Sequence, residues 1–109
     1  MPGPSVGERA FEMILDLNGI AHEREACLIK DRRFRVDFYI RPDICIEIEG
    51  QVWQMGRHQH PTGFIKDIDK YNLLTAAGYK VYRFATDQMW KKGSISTEAF
   101  DWLRKWKVL

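Results

Sequence analysis

The sequence contains little cysteine and no long apolar segment. Only two residues are cysteine, and Cys27 and Cys45 lack the spacing of a metal-binding pair. This usage argues against a disulfide-stapled secreted domain and favours buried free thiols. No apolar run reaches membrane-spanning length, and the N-terminus lacks the charged and apolar regions of a signal peptide. We therefore expect a cytoplasmic protein with no membrane partner.

A strong net charge, internal repeats and low-complexity tracts are also absent. The formal net charge is +2, which does not by itself indicate a nucleic-acid binder. With 45% hydrophobic and 29% charged residues, we expect one folded domain over residues 1–109. The cations are nevertheless grouped, at Lys30, Arg32, Arg33, Arg57, Lys91, Lys92, Arg104, Lys105 and Lys107. Such groups could form a basic rim around an acidic centre or a solvated surface.

The segment 34–49 is predicted to form a β-hairpin around the short turn Arg41-Pro42-Asp43, because apolar and polar residues alternate on both sides. One face carries Phe34, Val36, Phe38, Ile40, Ile44, Ile46 and Ile48, which we expect to look inward. The other carries Arg35, Asp37, Tyr39, Cys45, Glu47 and Glu49. The short turn sets the register, so Ile40 opposite Ile44 would place Asp37 opposite Glu47 and Arg35 opposite Glu49.

The opposed carboxylates of Asp37 and Glu47 predict a metal site. Two like charges facing each other on a sheet are destabilising, so a cation is expected between them. Oxygen ligands suit a hard divalent ion, Mg²⁺ with Mn²⁺ as a substitute. For Glu49 the pattern leaves open a metal-binding role or a cross-strand ion pair with Arg35.

Helices and further strands are predicted on both sides of the hairpin. Ser5 and Glu8 have the capping-box spacing and begin a helix that runs to about residue 18, with Gly19 as its stop. Glu8 could be a cap, a residue of the metal site, or both. A strand over 22–29, a helix over 64–77, a strand over 79–84 and a helix over about 96–107 complete the order. The inward residues are expected to be Ala10, Phe11, Ile14, Leu15 and Leu17, then Phe64, Ile65, Ile68, Tyr71 and Leu74, then Ala99, Phe100, Leu103 and Trp106.

This order predicts an α/β fold with a mixed sheet flanked by helices. The αβββαβ core would span about 5–85, and an immediate helix-to-strand connection at Gly78 favours a parallel last strand. Residues 51–63 lack periodicity, and such a connection is often functional. Within it, Trp53 could stack on a base or join the core, whereas His58 and His60 lack the further ligands of a zinc site.

Several phrases in this order resemble the PD-(D/E)XK nuclease superfamily, most closely the small phage and bacterial endonucleases of the very-short-patch-repair and DUF559-like branch. The phrases are Arg35-Val36-Asp37-Phe38, Glu47-Ile48-Glu49-Gly50, Gly56-Arg57-His58, Phe64-Ile65-Lys66-Asp67, Lys70-Tyr71-Asn72 and Gly78-Tyr79-Lys80-Val81-Tyr82-Arg83-Phe84. Each is weak alone, but their order and secondary-structure context together are specific. The resemblance implies a restriction-endonuclease-like fold.

The resemblance also implies roles for individual residues. Asp37 matches the metal-bridging aspartate, Glu47 the first acidic residue of the (D/E)XK segment, and Glu8 a helix-borne glutamate that some members add. Glu49 stands where the family has a lysine, and Lys70 or Lys66 could replace that cation. The implied catalytic residues are Asp37, Glu47, Glu49, Lys70 and Glu8, the metal ligands are Asp37, Glu47 and Glu49, and the DNA contacts are Arg33, Arg35, Arg57, His58 and Lys66.

The implied activity is Mg²⁺-dependent hydrolysis of DNA phosphodiester bonds. Because a domain of this size has little room for separate recognition modules, we expect structure-selective cutting, of branched DNA or a Holliday junction, by a homodimer. Alternatives are a nicking or mismatch-repair endonuclease, a DNA-binding domain that does not cut, and a protein-interaction domain that uses the tryptophan-rich tail.

Overall fold

The computed structural model describes residues 3–50 and 61–109, with side chains from residue 65 onward in the second range. Its helices are α1 (Val6–Leu17), α2 (Pro61–Ala76) and α3 (Glu98–Lys105), and its strands are β1 (Glu23–Ala26), β2 (Val36–Ile40), β3 (Ile44–Glu49), β4 (Lys80–Ala85), β5 (Trp90–Lys91) and β6 (Ser94–Ile95). Strands β1 to β4 form one sheet in chain order, antiparallel except for the parallel β3–β4 pair. The predicted α/β class, the mixed sheet flanked by helices and the C-terminal helix are confirmed.

Helix α1 begins as its sequence predicts. The Ser5 hydroxyl accepts a hydrogen bond from the Glu8 N–H, and the Glu8 carboxylate accepts one from the Ser5 N–H, each at 3.2 Å. Gly19, with φ of 67°, follows the helix in the left-handed conformation that favours glycine. Leu17, expected to be buried, is exposed, so the buried stripe of α1 ends at Leu15, two residues earlier than predicted.

The sheet is covered on both faces. Helices α1 and α3 pack on one face, where the core contains Phe11, Ile14, Leu15, Phe38, Ile40, Ile46, Ile48, Phe84, Phe100 and Leu103. On the other face, Leu74 of α2 packs with Tyr39 and Cys45.

Phe34 and Val36 join this second cluster, so the prediction that they share a face with Phe38 and Ile40 is wrong. The alternation breaks between Val36 and Phe38, where the backbone pairing of β2 with β3 ends.

Strand β1 is shorter than the predicted segment 22–29. Glu25, within the strand, has φ of 51°, and Asp31, in the following turn, has φ of 66°. Because left-handed residues interrupt regular pairing, the strand ends at Ala26 and leaves Cys27 exposed, contrary to expectation. Both cysteines are free, as predicted, and burial raises the pKa of the Cys45 thiol to about 11.

Helix α2 is rotated from its predicted orientation. Ile65 and Ile68, expected on the buried face, are 58% and 43% exposed, whereas Leu74 is fully buried. Tyr71, which was also expected on the buried face, is half-buried, and so is Lys70, which was not expected there; the side chain of Phe64 lies outside the described residues. The helix also starts at Pro61, three residues before the predicted start, and proline is well suited to a first helical turn. The amphipathic pattern of the helix therefore does not decide which face meets the sheet.

The chain between β4 and α3 contains structure that the periodicity did not predict. A short 3₁₀ turn, Thr86–Gln88, leads into the β5–β6 hairpin, whose turn residues Lys92 and Gly93 both have positive φ. In α3, Ala99, Phe100 and Leu103 are buried as predicted, but Trp106 is half exposed. Within the described ranges, no helix is long and apolar enough to cross a bilayer.

Gly7 allows α1 to approach the sheet closely. A Cβ atom at this position would lie 2.9 Å from Thr86 Oγ1 and 3.2 Å from Ile48 Cγ2. Thr86 Oγ1 donates a hydrogen bond to the Glu49 carbonyl at 3.0 Å, so a displaced Thr86 would lose that bond.

We expect Gly7→Ala to lower the midpoint of thermal unfolding, although alanine is intrinsically the better helix former by about 1 kcal/mol. The matched control is Leu17→Ala, which removes an exposed side chain from the same helix and should change the free energy of unfolding by less than about 0.5 kcal/mol. A midpoint at or above that of the wild type in Gly7→Ala would contradict the close packing.

Candidate active site

The candidate site begins where strands β2 and β3 part. Their backbone pairing runs from Ile40–Ile44 to Phe38–Ile46, in the predicted register, and the next position places Asp37 opposite Glu47. There, Glu47 Oε2 accepts a hydrogen bond from the Asp37 N–H at 3.1 Å, and Asp37 Oδ2 accepts one from the Ile48 N–H at 2.8 Å. Each side-chain carboxylate thus accepts a hydrogen bond from a backbone N–H of the opposite strand, where regular sheet pairing would use a backbone carbonyl.

Lys70 of α2 supplies the positive charge at this point. Glu47 is only 5% exposed, and its Oε1 is paired with the Lys70 ammonium. The same ammonium donates to the Arg35 carbonyl at 2.6 Å. Of the two lysines left open by the sequence, the structure brings Lys70 to Glu47, while Lys66 is exposed one turn away.

Among the residues that the structure describes, no cation pairs with the Asp37 carboxylate. Burial, the largest cause, and the negative charges of Glu47 and Glu8 together raise the pKa of Asp37 to about 7, although the hydrogen bond from the Ile48 N–H opposes the change. Because the ionised carboxylate is the disfavoured form, the site is electrostatically prepared for a cation.

A second group of acids surrounds Asp37. Carboxylate oxygens of Glu8, Glu25 and Asp37 lie within 4.8 Å of one another, which is close enough for a shared metal ion. Glu8 reaches this group while it still caps α1. Glu25 was missed by the sequence, because its place beside Asp37 depends on the β1–β2 register and on a left-handed backbone that no periodicity indicates.

Arg24, also missed, connects α1 to this group. Its guanidinium donates to Glu8 Oε1 at 2.7 Å, to Glu12 Oε1 at 2.9 Å and to the Asp37 carbonyl at 3.0 Å. It also lies 4.3 Å from the centroid of the Phe38 ring, which restricts its movement. Arg24 is therefore the residue that positions the Glu8 carboxylate beside Asp37.

His22 extends this network away from the acids. Its Nε2 lies 2.8 Å from Glu12 Oε2, and its Nδ1 lies 2.9 Å from the Ile20 carbonyl. Burial alone would lower the pKa of His22, but the bonds to Ile20 and Glu12 raise it above its ordinary value. The bond from His22 in turn holds the pKa of Glu12 below its usual range.

Glu49 has a different partner from the one expected. Arg83 of β4 donates to Glu49 Oε1 through Nε at 3.1 Å and pairs with it through a second nitrogen, so the Arg35–Glu49 ion pair, one of the two roles left open for Glu49, is not formed. Arg35 donates instead to the Glu25 carbonyl at 3.3 Å. The parallel neighbour β4 offers a cation that the hairpin pattern did not include, and within the described residues Glu49 lies outside the Glu8–Glu25–Asp37 group.

The predicted DNA contacts divide into two sets. Arg33, Arg35 and Lys66 are exposed, and Lys66 lines a groove of about 360 Å³ beside Lys70 that also contains Arg32 and Phe34. Arg57 and His58, together with Trp53 and His60, lie outside the described residues. All three cations of the first set are exposed to solvent, and Lys66 shares its groove with the lysine that pairs with Glu47.

The four-stranded mixed sheet, its covering helices and the carboxylates on its central strands define a nuclease-like fold. A solved structure with this fold is described as "Homing Endonuclease I-Bth0305I Catalytic Domain"; it has 21% sequence identity and a TM-score of 0.64, and the alignment covers 96% of this chain and 92% of that chain. At this identity the likeness establishes the fold. No protein-family model matches the chain, and no curated protein matches it.

The raised pKa of Asp37 predicts a pH-dependent stability. In the unfolded chain this carboxyl ionises near 3.8, but in the folded protein it keeps its proton up to about 7. The folded state therefore binds more protons between these values, and its contribution to stability is lost as the pH rises through this window.

We expect Asp37→Asn to raise the free energy of unfolding above that of the wild type at about pH 8, by on the order of 1 kcal/mol because solvent screens a half-buried group. The difference should disappear at about pH 4, where Asp37 is protonated in the folded wild type. Urea unfolding in the absence of divalent ions measures this, with the exposed Asp69→Asn as control. A gain that is independent of pH would contradict the assignment.

Proposed function

We propose that this chain is a divalent-metal-dependent endonuclease that hydrolyses DNA phosphodiester bonds. The observation that carries the proposal is the meeting of Asp37, Glu47 and Lys70 where β2 and β3 part. The likeness to a homing endonuclease catalytic domain supports the same reaction class, because it covers nearly all of both chains.

The donor set fits a hard divalent ion. Glu8, Glu25 and Asp37 offer carboxylate oxygens within 4.8 Å of one another, and oxygen ligands suit Mg²⁺, with Mn²⁺ as a substitute. We propose these three as the ligand group, with Glu47 adjoining it through the oxygen that faces Asp37. Glu49 is placed outside this group in the proposal because Arg83 pairs with it. When bound, the ion supplies Lewis-acid polarisation of the phosphate and lowers the pKa of a water nucleophile.

Lys70 is proposed as the cation that serves the reacting phosphate. Its ammonium is held by Glu47 and by the Arg35 carbonyl, so its position is set before substrate binds. A fixed positive charge in a half-buried site stabilises the negative charge that develops on phosphoryl oxygens during hydrolysis. Lys70 would then supply the positive charge that the PD-(D/E)XK motif supplies with a lysine at the position of Glu49.

We propose that five side chains contact the DNA backbone: Arg33, Arg35, Lys66, Arg57 and His58. Phosphate contacts of this kind position a substrate without reading its sequence. With little room for recognition modules, the proposed preference is for branched or junction DNA cut by a homodimer. Nicking and mismatch-directed cutting are the neighbouring alternatives, and a substrate comparison separates them.

Lys70→Met should reduce the cleavage rate with Mg²⁺ or Mn²⁺ by on the order of a hundredfold, because it removes the charge aimed at the phosphate. Asp37→Ala should leave no metal-dependent product. Rates are measured on junction, flap, nicked and plain duplex DNA, with Lys80→Met, an exposed lysine of β4, as the matched control. Intact substrates with the wild type would refute the activity, and unchanged DNA binding beside them would identify a domain that binds without cutting.

The two roles of Glu8 are separable by substitution. Glu8→Gln keeps a side chain that completes a capping box but removes a charged ligand, so it should weaken Mn²⁺ binding about tenfold or more while α1 stays stable. Ser5→Ala should instead lower the free energy of unfolding by about 1 kcal/mol and leave Mn²⁺ affinity unchanged. Calorimetric titration of Mn²⁺ without DNA, beside urea unfolding, measures both. Equal Mn²⁺ affinity in Glu8→Gln and the wild type would show that Glu8 caps α1 and does not bind the metal.

A further inference from the structure

Two tryptophans stay on the surface where α3 ends. Trp102 is 39% and Trp106 50% exposed, although tryptophan gains much from burial. Their rings are stacked with centroids 5.5 Å apart, and Trp106 also stacks on Tyr82 at 6.3 Å and Phe84 at 6.4 Å. These four rings form a continuous aromatic stack from α3 to strand β4, with Trp102 at its outer end.

The outer end of the aromatic stack is basic. Residues 102–107 contain three cations, Arg104, Lys105 and Lys107, and no acid. All three cations are exposed, and Lys105 Nζ lies 5.0 Å from the centroid of the Trp102 ring. Of the two acids of α3, Glu98 pairs with Lys91 at 3.0 Å, and Asp101 keeps its charge while it accepts a hydrogen bond from Thr97 at 2.9 Å. With three cations beside one uncompensated acid, the patch presents aromatic rings and a net positive charge together.

We propose that the aromatic stack binds unpaired nucleotides of a DNA strand. An unpaired base can continue the stack on the outer ring, Trp102, while Lys105 swings from above that ring to the neighbouring phosphate. Bases inside a duplex are already stacked on both sides, so the site would select single-stranded segments. The proposal rests on DNA being the substrate of the proposed endonuclease and names the kind of DNA it favours.

The charges favour a polyanion over a protein partner. An apolar partner that covered Trp102 and Trp106 would also remove Lys105 and Lys107 from water, and burying an unpaired charge is costly. Lysine is accordingly depleted in the cores of protein interfaces. A nucleic-acid strand has the opposite effect, because its phosphates neutralise the lysines while its bases cover the rings.

The aromatic stack is also placed to act together with the acidic centre. Phe84 lies beside Ile48 in the parallel β3–β4 pair, and Ile48 donates its N–H to the Asp37 carboxylate. Strand β4 is two strands from β2 in the sheet, about 10 Å at the usual strand spacing. A DNA strand held near Asp37 can therefore reach the stack within a few nucleotides.

The test measures binding of labelled oligothymidine by fluorescence anisotropy in EDTA, so that binding is separated from metal-dependent cutting. The wild type should bind the single strand more tightly than a duplex of the same length. Trp102→Ala should weaken oligothymidine binding about tenfold, whereas Trp102→Phe, which keeps a stacking ring, should stay close to the wild type. Leu17→Ala, an exposed apolar residue outside the patch, is the control and should change nothing.

Two outcomes would overturn the proposal. One is an unchanged oligothymidine affinity in Trp102→Ala, and the other is an equal loss of affinity in Trp102→Ala and Leu17→Ala. If the first is accompanied by a change from dimer to monomer in light scattering, the aromatic stack is an interface between copies of the chain.

Cleavage assays on the same variants keep this proposal distinct from the endonuclease. Oligothymidine binding that depends on Trp102, without any metal-dependent product from the wild type, would support the aromatic stack and refute the endonuclease. Cleavage that Asp37→Ala abolishes, with oligothymidine affinity untouched by Trp102→Ala, would refute the aromatic stack alone.

Discussion

The burial of Glu47 beside Asp37 is the constraint on which the rest of the site depends. A carboxylate removed from water needs hydrogen bonds and a counter-charge, because an unpaired buried charge is strongly destabilising. The two facing carboxylates take their hydrogen bonds from backbone N–H groups, at the point where the β2–β3 pairing ends. Lys70 supplies the counter-charge, so α2 presents a lysine to the sheet and leaves Ile65 and Ile68 exposed.

On the α1 side of the site, one residue both stabilises the helix and belongs to the acidic group that could bind a cation. Glu8 caps its helix through Ser5 and is held by Arg24, so one carboxylate serves the helix terminus and the acidic group at once. Burial and the negative charges of Glu47 and Glu8 together raise the pKa of Asp37 to about 7. Accumulated negative charge of this kind opposes folding unless a cation binds, and it is typical of sites arranged for function.

The sequence was sufficient for Asp37 and Glu47 because their relation is local. A period of two assigns them to one face, and a short turn sets their register. Glu25 and Arg24 could not be predicted in the same way. Their positions depend on how β1 pairs with β2, on the left-handed backbone at Glu25 and on the packing of α1 across the sheet.

By itself, the sequence determined the α/β class, the order of the three helices and the four strands of the main sheet, the capping of α1 and the facing carboxylates, since each follows from short-range patterns. Only the tertiary structure decided the partners of charged groups: Glu47 pairs with Lys70, and Glu49 pairs with Arg83 of β4 rather than Arg35. It also decided that Trp102 and Trp106 remain on the surface. The physical reason is that a charge or a ring pairs with whichever group packing brings near, and that packing joins segments far apart in the chain.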